Sequence, residues 1–336
     1  VEGVLERWEG VRFPEVYVGG GTPTMVTEGV CEVLDLIRSY QGPTQASVEA
    51  SPYDIDDDKV SQLISAGVTR ISVGVQSFFP DRLARIGRPR ASTEEIMSAI
   101  ESCSRARTVN VDILFNYPGQ TEGDLREELE AFLHSRANQL TLYPLMPSIR
   151  EAPSVYPCDE GREKELYAFA VREARGLGLL QRSAWCFSRT PEGLRGEYII
   201  DSDLFLGVGA GAMSHLDGLF TANTFNLARY ENTIGEGRSP VRLVRRLGRD
   251  EEERLYALYG LFGLGLDKEG FRRRFGVGVY RAMPRELIAG ELLGLIRDAG
   301  RRLVVTERGL YAVSLLMKRF YIKVSGIRAM AIRSRL

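Results

Sequence analysis

Cysteine and histidine are scarce in this chain of 336 residues, which has four of the former and two of the latter. The cysteines lie far apart in the sequence, at Cys31, Cys103, Cys158 and Cys186. They are too few and too scattered for a disulfide-stabilised scaffold. They therefore predict thiols in a reducing compartment and a cytoplasmic protein.

Long apolar runs and an excess of charge of one sign are absent as well. No run approaches the roughly 18 residues that a membrane-spanning helix needs, so we expect no membrane partner. The 44 basic and 45 acidic side chains leave a formal net charge of -1, which gives no overall attraction to nucleic acid. The first residue is Val1, with no signal peptide after it, and we expect that the beginning of the natural protein is missing.

Short apolar runs rich in β-branched residues alternate with amphipathic stretches of helical length. The runs predict strands at 15–19, 45–50, 70–76, 109–116 and 139–145. The stretches predict helices at 27–40, 56–66, 93–106, 121–135 and 161–177. We interpret the strands as apolar on both faces, which predicts a parallel sheet covered by helices. This is either a doubly wound sheet or a complete or partial (β/α) barrel.

The pattern changes after about residue 178, where a glycine-rich apolar segment at 204–214 is followed by a basic stretch at 238–249 that we interpret as a linker. Helices at 250–274 and 284–299, a short strand with a turn at 301–311 and a last helix then predict a winged-helix-like module. The predicted domains are 1–237 and 238–336. For the C-terminal module, packing on the barrel is favoured over binding to nucleic acid.

Polar residues and glycines stand where the predicted strands end. In parallel α/β folds these carboxyl ends meet at one edge of the sheet, where the chemistry collects. The residues are 19–24 (GGGTPT), Glu49, 76–78 (QSF), Asp112 with Asn116, and Tyr143. Five successive strand ends of this kind predict a binding or catalytic site. The triple glycine alone lacks the spacing of either nucleotide-binding motif.

Six sequence blocks, taken together, carry a resemblance. They are GGGTPT at 19–24, SVEASP at 47–52, RISVGVQSF at 70–78 with IGR at 86–88, NVDILFNYPGQT at 110–121, LYPLMP at 142–147 and FLGVGAGAMS at 205–214. In this order they resemble the oxygen-independent coproporphyrinogen III oxidase family of radical S-adenosylmethionine (SAM) enzymes. That family also includes haem chaperones, anaerobic haem-degrading enzymes and radical methyltransferases. TERG at 306–309 resembles its C-terminal module.

The resemblance implies a partial (β/α) barrel that binds SAM across its strand ends. Backbone groups at Gly20, Gly21 and Thr22 would meet the methionyl amine. The polar ends of SAM would be held by Glu49, Gln76, Arg88 and Asp112, with Pro144 and Met213 packing against it. The alternative interpretations are that Glu49 and Asp112 are helix-capping or barrel-rim groups and that Arg88 forms a surface ion pair. We also consider His215 a candidate for touching the substrate, whereas the helix dipole suffices to explain His134.

The resemblance also implies a four-iron four-sulfur cluster, which the family holds with C-x-x-x-C-x-x-C. No such motif occurs in this sequence. One interpretation places the cluster ligands upstream of Val1, so that this polypeptide alone would not cleave SAM. The other is that the cluster has been lost and the protein survives as a binding protein. The first strand of the family's barrel, which precedes the cluster loop, is also missing from this sequence. Its absence favours cluster ligands upstream of Val1 over loss of the cluster.

The function that the resemblance implies is oxidative decarboxylation of tetrapyrrole propionates to vinyl groups. A 5'-deoxyadenosyl radical would abstract the hydrogen, and flavodoxin or ferredoxin would donate the electron. The enzyme alternatives are a radical methyltransferase and a haem-degrading enzyme, and the non-enzyme alternative is a haem chaperone. Of the chaperones' H-N-x-x-Y-W motif only Tyr198 is matched. Candidate partners for the propionates are Arg182, Arg189 and Arg195.

Overall fold

The computed structural model describes residues 1–8, 10–146, 159–191 and 202–333. For residues 331–333 it describes the backbone alone. Contacts divide these residues into two compact units. The first contains the described residues up to 145 together with 159–191, and the second contains Met146 and 202–333. Among the described helices none is long and apolar enough to cross a membrane.

A twisted sheet forms the centre of the first unit. In the described part of the chain its strands are β1 (Glu15–Val18), β2 (Gln45–Ala50), β3 (Val68–Gln76), β4 (Thr108–Phe115), β5 (Gln139–Pro144), β6 (Leu180–Gln181) and β7 (Cys186–Ser188). Their order is β1-β2-β3-β4-β5-β7-β6. Strands β1 to β5 are parallel, whereas β7 pairs antiparallel with β5 and β6. The sheet does not close among these residues, which confirms the predicted partial (β/α) barrel.

Helices connect the parallel strands, as the sequence predicts. The connecting helices are α2 (Thr27–Gln41), α3 (Asp57–Ser65), α4 (Pro80–Arg85), α5 (Thr93–Cys103) and α6 (Glu122–His134), whereas α1 (Glu2–Arg7) precedes β1 and α7 (Glu160–Gly176) follows β5. Two of them begin at capping boxes. Ser92 and Glu95 exchange hydrogen bonds at the start of α5, and Thr121 and Asp124 do so at the start of α6. These pairs satisfy amides that the first helical turn leaves open.

The two faces of the parallel strands differ in chemistry. One face is apolar and carries fully buried aliphatic side chains, each worth about 1.5 to 3 kcal/mol of burial free energy. They include Val48, Ile71, Val73, Val111 and Ile113. The other face is polar, because side chains alternate along a strand and the intervening residues are Ser72, Asn110, Asp112 and their neighbours. The prediction that these strands are apolar on both faces is therefore wrong for this face.

The second unit begins with an antiparallel sheet of β8 (Met213–Leu216), β9 (Leu219–Asn223) and β10 (Val241–Arg246), with α8 (Leu227–Gly235) between β9 and β10. Strand β10 lies in the stretch predicted as a linker, so that prediction is wrong. Its exposed basic residues are typical of a solvated segment, but it pairs with β9 along its length.

A winged-helix-like module follows, as predicted. Its elements are α9 (Arg249–Phe262), β11 (Gly265–Asp267), α10 (Lys268–Phe275), α11 (Val279–Ala282), α12 (Pro284–Leu292), β12 (Ile296–Asp298), β13 (Arg302–Val305) and α13 (Leu310–Arg333). Its core includes Ala257, Leu266, Phe271, Val279, Met283, Leu287, Ile296 and Leu303. The domain boundary predicted at 237/238 stays a prediction.

Candidate binding site at the strand ends

The loop after β1 exposes its backbone. Gly20 and Gly21 have φ angles of 92° and 68°, in the left-handed region that glycine adopts without strain. A Cβ atom on Gly19 would lie 2.7 Å from Cε1 of Tyr17 and 2.8 Å from Oε1 of Glu49. Thr22 then leads into a short 3-10 turn, Pro23–Val26. Glycine is therefore required where this loop passes the end of β2, and the exposed backbone carbonyls of the loop remain accessible to a ligand.

The carboxylate of Glu49, near the end of β2, holds this loop in place. Its Oε1 accepts a hydrogen bond from the hydroxyl of Tyr17 at 2.6 Å, and its Oε2 accepts one from the amide of Gly20 at 3.0 Å. A carboxylate has about four acceptor positions, so this one can bind a further donor or cation. The arrangement joins the glycine loop to a fixed negative charge.

Asp112 on β4 provides a second carboxylate. Asn110 Nδ2 donates to its Oδ1 at 2.7 Å, and the hydroxyl of Ser72 donates to its Oδ2 at 3.1 Å. Desolvation by the surrounding protein raises the pKa of Asp112 to about 6, although Arg70 opposes this rise. The negative charge of Glu49 adds a smaller rise to the pKa of Asp112.

A buried polar network supports Asp112 from the same face of the sheet. Asn110 Nδ2 also donates to Ser72 Oγ at 2.8 Å, and Thr141 Oγ1 donates to Asn110 Oδ1 at 2.9 Å. Near the other end of the strands, Arg70 Nε donates to Gln139 Oε1 at 2.9 Å. These groups satisfy one another, as buried polar groups must. Sequence reasoning missed them, although the alternate polar positions of β3 and β4 were a visible signal.

Gln76, the last residue of β3, has a φ angle of 69°, which is rare for a residue other than glycine. The turn that follows it is anchored by Glu128 of α6, a residue with 1% exposure. Glu128 accepts hydrogen bonds from Ser77 Oγ and from the amide of Phe78, and it pairs with Arg82 at 3.1 Å. A left-handed conformation at a residue such as Gln76 costs about 1 to 3 kcal/mol of free energy. The hydrogen bonds of Glu128 to the following turn keep Gln76 in that conformation.

The end of β4 is built in the same way. Asn116 follows the strand with a φ angle of 63°. Its Nδ2 donates to Glu163 of α7 at 3.0 Å, and its amide donates to Gln120 Oε1 at 2.6 Å. Glu163, like Glu128, is fully buried. Two buried glutamates on successive helices thus fix two successive strand ends.

The structure connects some of the predicted site residues and not others. Glu49 accepts hydrogen bonds from Tyr17 and from the Gly20 amide. Its register partner on β3 is Ser72, which donates a hydrogen bond to Asp112. These connections run along the ends of β1 to β4.

Three further predicted site residues make no hydrogen bond to that group among the described residues. Arg88 is exposed after α4, and within the described ranges its side chain has no hydrogen bond or ion pair. Pro144 ends β5 opposite Phe115, and Met213 begins β8 in the second unit. Their roles toward SAM stay predictions.

The described cysteines do not fit an iron–sulfur cluster. Cys31, Cys103 and Cys186 lie on α2, α5 and β7, and burial raises the pKa of the Cys103 thiol to about 12. Among the residues that the structure describes, no three His, Cys, Asp or Glu side chains are placed to hold a metal ion. Cys158, together with Tyr198 and Arg195, lies outside the described residues. No step is therefore assigned to a cluster in this chain.

Comparisons with known proteins show that this chain is similar to radical SAM proteins. The family model of the radical SAM superfamily matches residues 2–132. The heme chaperone HemW of Bacillus subtilis is 25% identical over 315 residues, covering 88% of this chain and 82% of the relative. The oxygen-independent coproporphyrinogen III oxidase of Cereibacter sphaeroides is 26% identical over 255 residues, covering 68% of this chain and 56% of the relative.

A solved structure shows the same fold. The coproporphyrinogen III oxidase HemN of Escherichia coli, titled a radical SAM enzyme, superimposes with a TM-score of 0.76 at 17% identity. The match covers 94% of this chain and 80% of that one.

Proposed function

We propose that the chain is a radical SAM protein of the HemN/HemW-like kind, which binds SAM at the carboxyl ends of β1 to β5 and acts on a tetrapyrrole. The observation that carries the proposal is the arrangement of Gly20, Glu49 and Asp112. An exposed glycine backbone and two interacting carboxylates stand together at one edge of a parallel sheet.

The chemistry of these residues fits SAM. Its sulfonium and ammonium groups are cationic and its ribose hydroxyls are donors, and both kinds of group favour carboxylate acceptors. Glu49 and Asp112 supply those acceptors, and the backbone at Gly20 to Thr22 meets the methionyl amine. Arg88, exposed and without an ion pair among the described residues, would pair with the methionyl carboxylate in two parallel hydrogen bonds.

The share of the protein in this chemistry is positioning. When bound and supplied with an electron, SAM provides the hydrogen abstraction that defines the superfamily. The chain's own residues orient it: Glu49 fixes the loop on one side, and the network of Ser72, Asn110 and Thr141 fixes Asp112 on the other. The anchored turn at Gln76 presents a third polar group.

For the tetrapyrrole reaction we propose an oxidoreductase of the coproporphyrinogen III oxidase kind, which converts propionates to vinyl groups. A second candidate is haem binding and transfer. It is supported by the greater coverage of the heme chaperone relative, 88% of this chain against 68% for the oxidase relative.

Ligand titrations test the proposal. Calorimetry with SAM and with ATP measures whether the site prefers a cation, and we expect SAM to bind at least tenfold more tightly, because two carboxylates repel the triphosphate. A fluorescence titration with coproporphyrin III measures tetrapyrrole binding. Equal affinity for ATP and SAM, or no binding of SAM, would contradict the proposed site.

A further inference from the structure

Tyr17, on β1, lies beside the carboxylate of Glu49 because of the register between the first two strands. Tyr17 pairs with Ser47 of β2, and Glu49 lies two residues further along β2, on the same face of the sheet. Both side chains are half-buried. The hydroxyl of Tyr17 donates a hydrogen bond to Oε1 of Glu49 at 2.6 Å. This bond therefore joins β1 to β2 at the point where the glycine loop begins.

The two oxygens of the Glu49 carboxylate have different donors. Oε2 accepts a hydrogen bond from the amide of Gly20 at 3.0 Å, whereas Oε1 accepts the one from Tyr17. With the amide alone, the carboxylate could turn about its last side-chain torsion, because that torsion is broad in glutamate. The hydrogen bond on the other oxygen fixes the plane of the carboxylate and, with it, the directions of the remaining lone pairs.

The glycine loop leaves this pair of side chains little room. A Cβ atom on Gly19 would lie 2.7 Å from Cε1 of Tyr17 and 2.8 Å from Oε1 of Glu49, closer than a Cβ atom approaches other heavy atoms. The backbone of Gly19 thus lies directly against the phenol ring and the carboxylate. The loop, the ring and the carboxylate restrict one another's movement.

A fixed carboxylate is useful to a ligand, because a ligand that binds a mobile side chain has to order it and loses affinity in doing so. For a side chain with as many rotamers as glutamate, this loss is about three- to tenfold in the dissociation constant. Tyr17 orders Glu49 in the folded chain before a ligand is bound. The ordering then no longer opposes ligand binding.

We propose that Tyr17 is a positioning residue of the SAM site, which does not contact SAM and acts through Glu49 by holding its carboxylate in the orientation that accepts the ligand. The inference rests on the proposed SAM binding and deepens it. It adds a residue that precedes the GGGTPT block at 19–24 and that the sequence analysis did not single out.

A double-mutant cycle, measured by calorimetric titration of SAM into the full chain, tests the inference. We expect Tyr17→Phe, which keeps the ring, to bind SAM about three- to tenfold more weakly than the wild type. In the Glu49→Ala background, the same substitution should change the dissociation constant by less than about twofold, because the carboxylate through which Tyr17 acts is gone. Replacement of Tyr17 by para-aminophenylalanine, which retains a donor at the end of the ring, should restore the affinity of the wild type.

Tyr280 of the second unit provides a matched control. Its hydroxyl donates a hydrogen bond to Oε1 of Glu291, also at 2.6 Å. Tyr280→Phe therefore removes the same kind of bond as Tyr17→Phe, and both variants should lose stability in urea unfolding. Only Tyr17→Phe should lose affinity for SAM, because Glu291 belongs to no part of the proposed site.

The inference is wrong if Tyr17→Phe binds SAM as tightly as the wild type, or if Tyr280→Phe weakens binding as much. It is also wrong if Tyr17→Phe weakens binding equally with and without the Glu49 carboxylate, since Tyr17 would then contact SAM or act on stability alone. Where Glu49→Ala unfolds, Glu49→Met fills the same space without a charge and completes the cycle. SAM binding by the wild type with an additive cycle overturns only the role of Tyr17, whereas no SAM binding by the wild type overturns the proposed function as well.

Discussion

The carboxylate of Asp112 receives hydrogen bonds from Ser72 and Asn110, and the residue is half-buried. Desolvation outweighs those hydrogen bonds and the nearby Arg70, so the pKa of Asp112 rises to about 6. At the scale of single residues, Asp112 is one group through which the site and the stability of the fold depend on pH.

The sign of that dependence follows from proton linkage. Between the unfolded pKa of about 3.9 and the folded value, the folded chain holds more protons on Asp112 than the unfolded chain does. The contribution of Asp112 to stability is therefore greatest below about pH 4 and is lost as the pH rises through about 6. We expect the wild type to lose about 3 kcal/mol more than Asp112→Asn across this window. Urea unfolding of both proteins at several pH values measures the difference, and parallel pH profiles would contradict it.

At the scale of secondary-structure elements, buried glutamates connect helices to strand ends. Glu128 of α6 bonds the turn after β3, and Glu163 of α7 bonds the residue after β4. Desolvation raises the pKa of Glu128, because burial is unfavourable for the charged carboxylate and so carries a cost. Its bonds to Ser77, Phe78 and Arg82 offset that cost.

Removal of this anchor should destabilise the first unit. Glu128→Ala leaves a cavity and removes the acceptor of Ser77 and of the Phe78 amide, whereas Arg82 keeps its ion pairs with Asp124 and Glu127. We expect the free energy of unfolding to fall by about 3 to 5 kcal/mol, because each buried donor left without an acceptor costs about 1 to 3 kcal/mol and the cavity adds to that cost. The exposed Glu130 on the same helix is the control, and Glu130→Ala should change stability by less than about 0.5 kcal/mol. Equal unfolding midpoints in denaturant for the two variants would show that Glu128 does not anchor the turn.

Much of this element structure can be predicted from local signals. The parallel strands, the helices between them and the caps at Ser92 and Thr121 follow from hydrophobic period and cap chemistry. The left-handed Gln76 and Asn116 cannot be predicted in this way, because long-range bonds to α6 and α7 hold them. The helix predicted at 284–299 ends at Leu292, because Gly294 has a φ angle of 67° and 296–298 pairs with β13.

At the scale of the whole molecule, the ordered sequence blocks predicted the family and the partial barrel, because they mark the strand ends. The polar face of the sheet was missed. Asn110 and Ser72 stand as isolated polar residues within apolar runs, and only the pairing of β3 with β4 shows that they form a network. The register that places Ser72 beside Asn110 arises only when the strands pair, so local sequence signals do not predict it.

The cysteines give a prediction for the whole polypeptide. With four cysteines and no C-x-x-x-C-x-x-C motif, this 336-residue chain should not assemble a four-iron cluster when treated with iron and sulfide under reducing conditions. Iron analysis and visible absorption after desalting measure the outcome. A stoichiometric cluster that Cys186→Ala or Cys158→Ala abolishes would show that the scattered cysteines do come together.

The central claim is that the strand-end carboxylates of the first unit bind SAM. Calorimetric titration of SAM into Glu49→Gln tests it most directly. The amide of this variant would keep an acceptor for one neighbour but lose the negative charge, and Glu94→Gln, at an exposed position of α5, is the matched control. We expect at least a tenfold rise in the dissociation constant for Glu49→Gln, about 1.4 kcal/mol, and no rise for Glu94→Gln. Equal affinity of the wild type and both variants for SAM would contradict it.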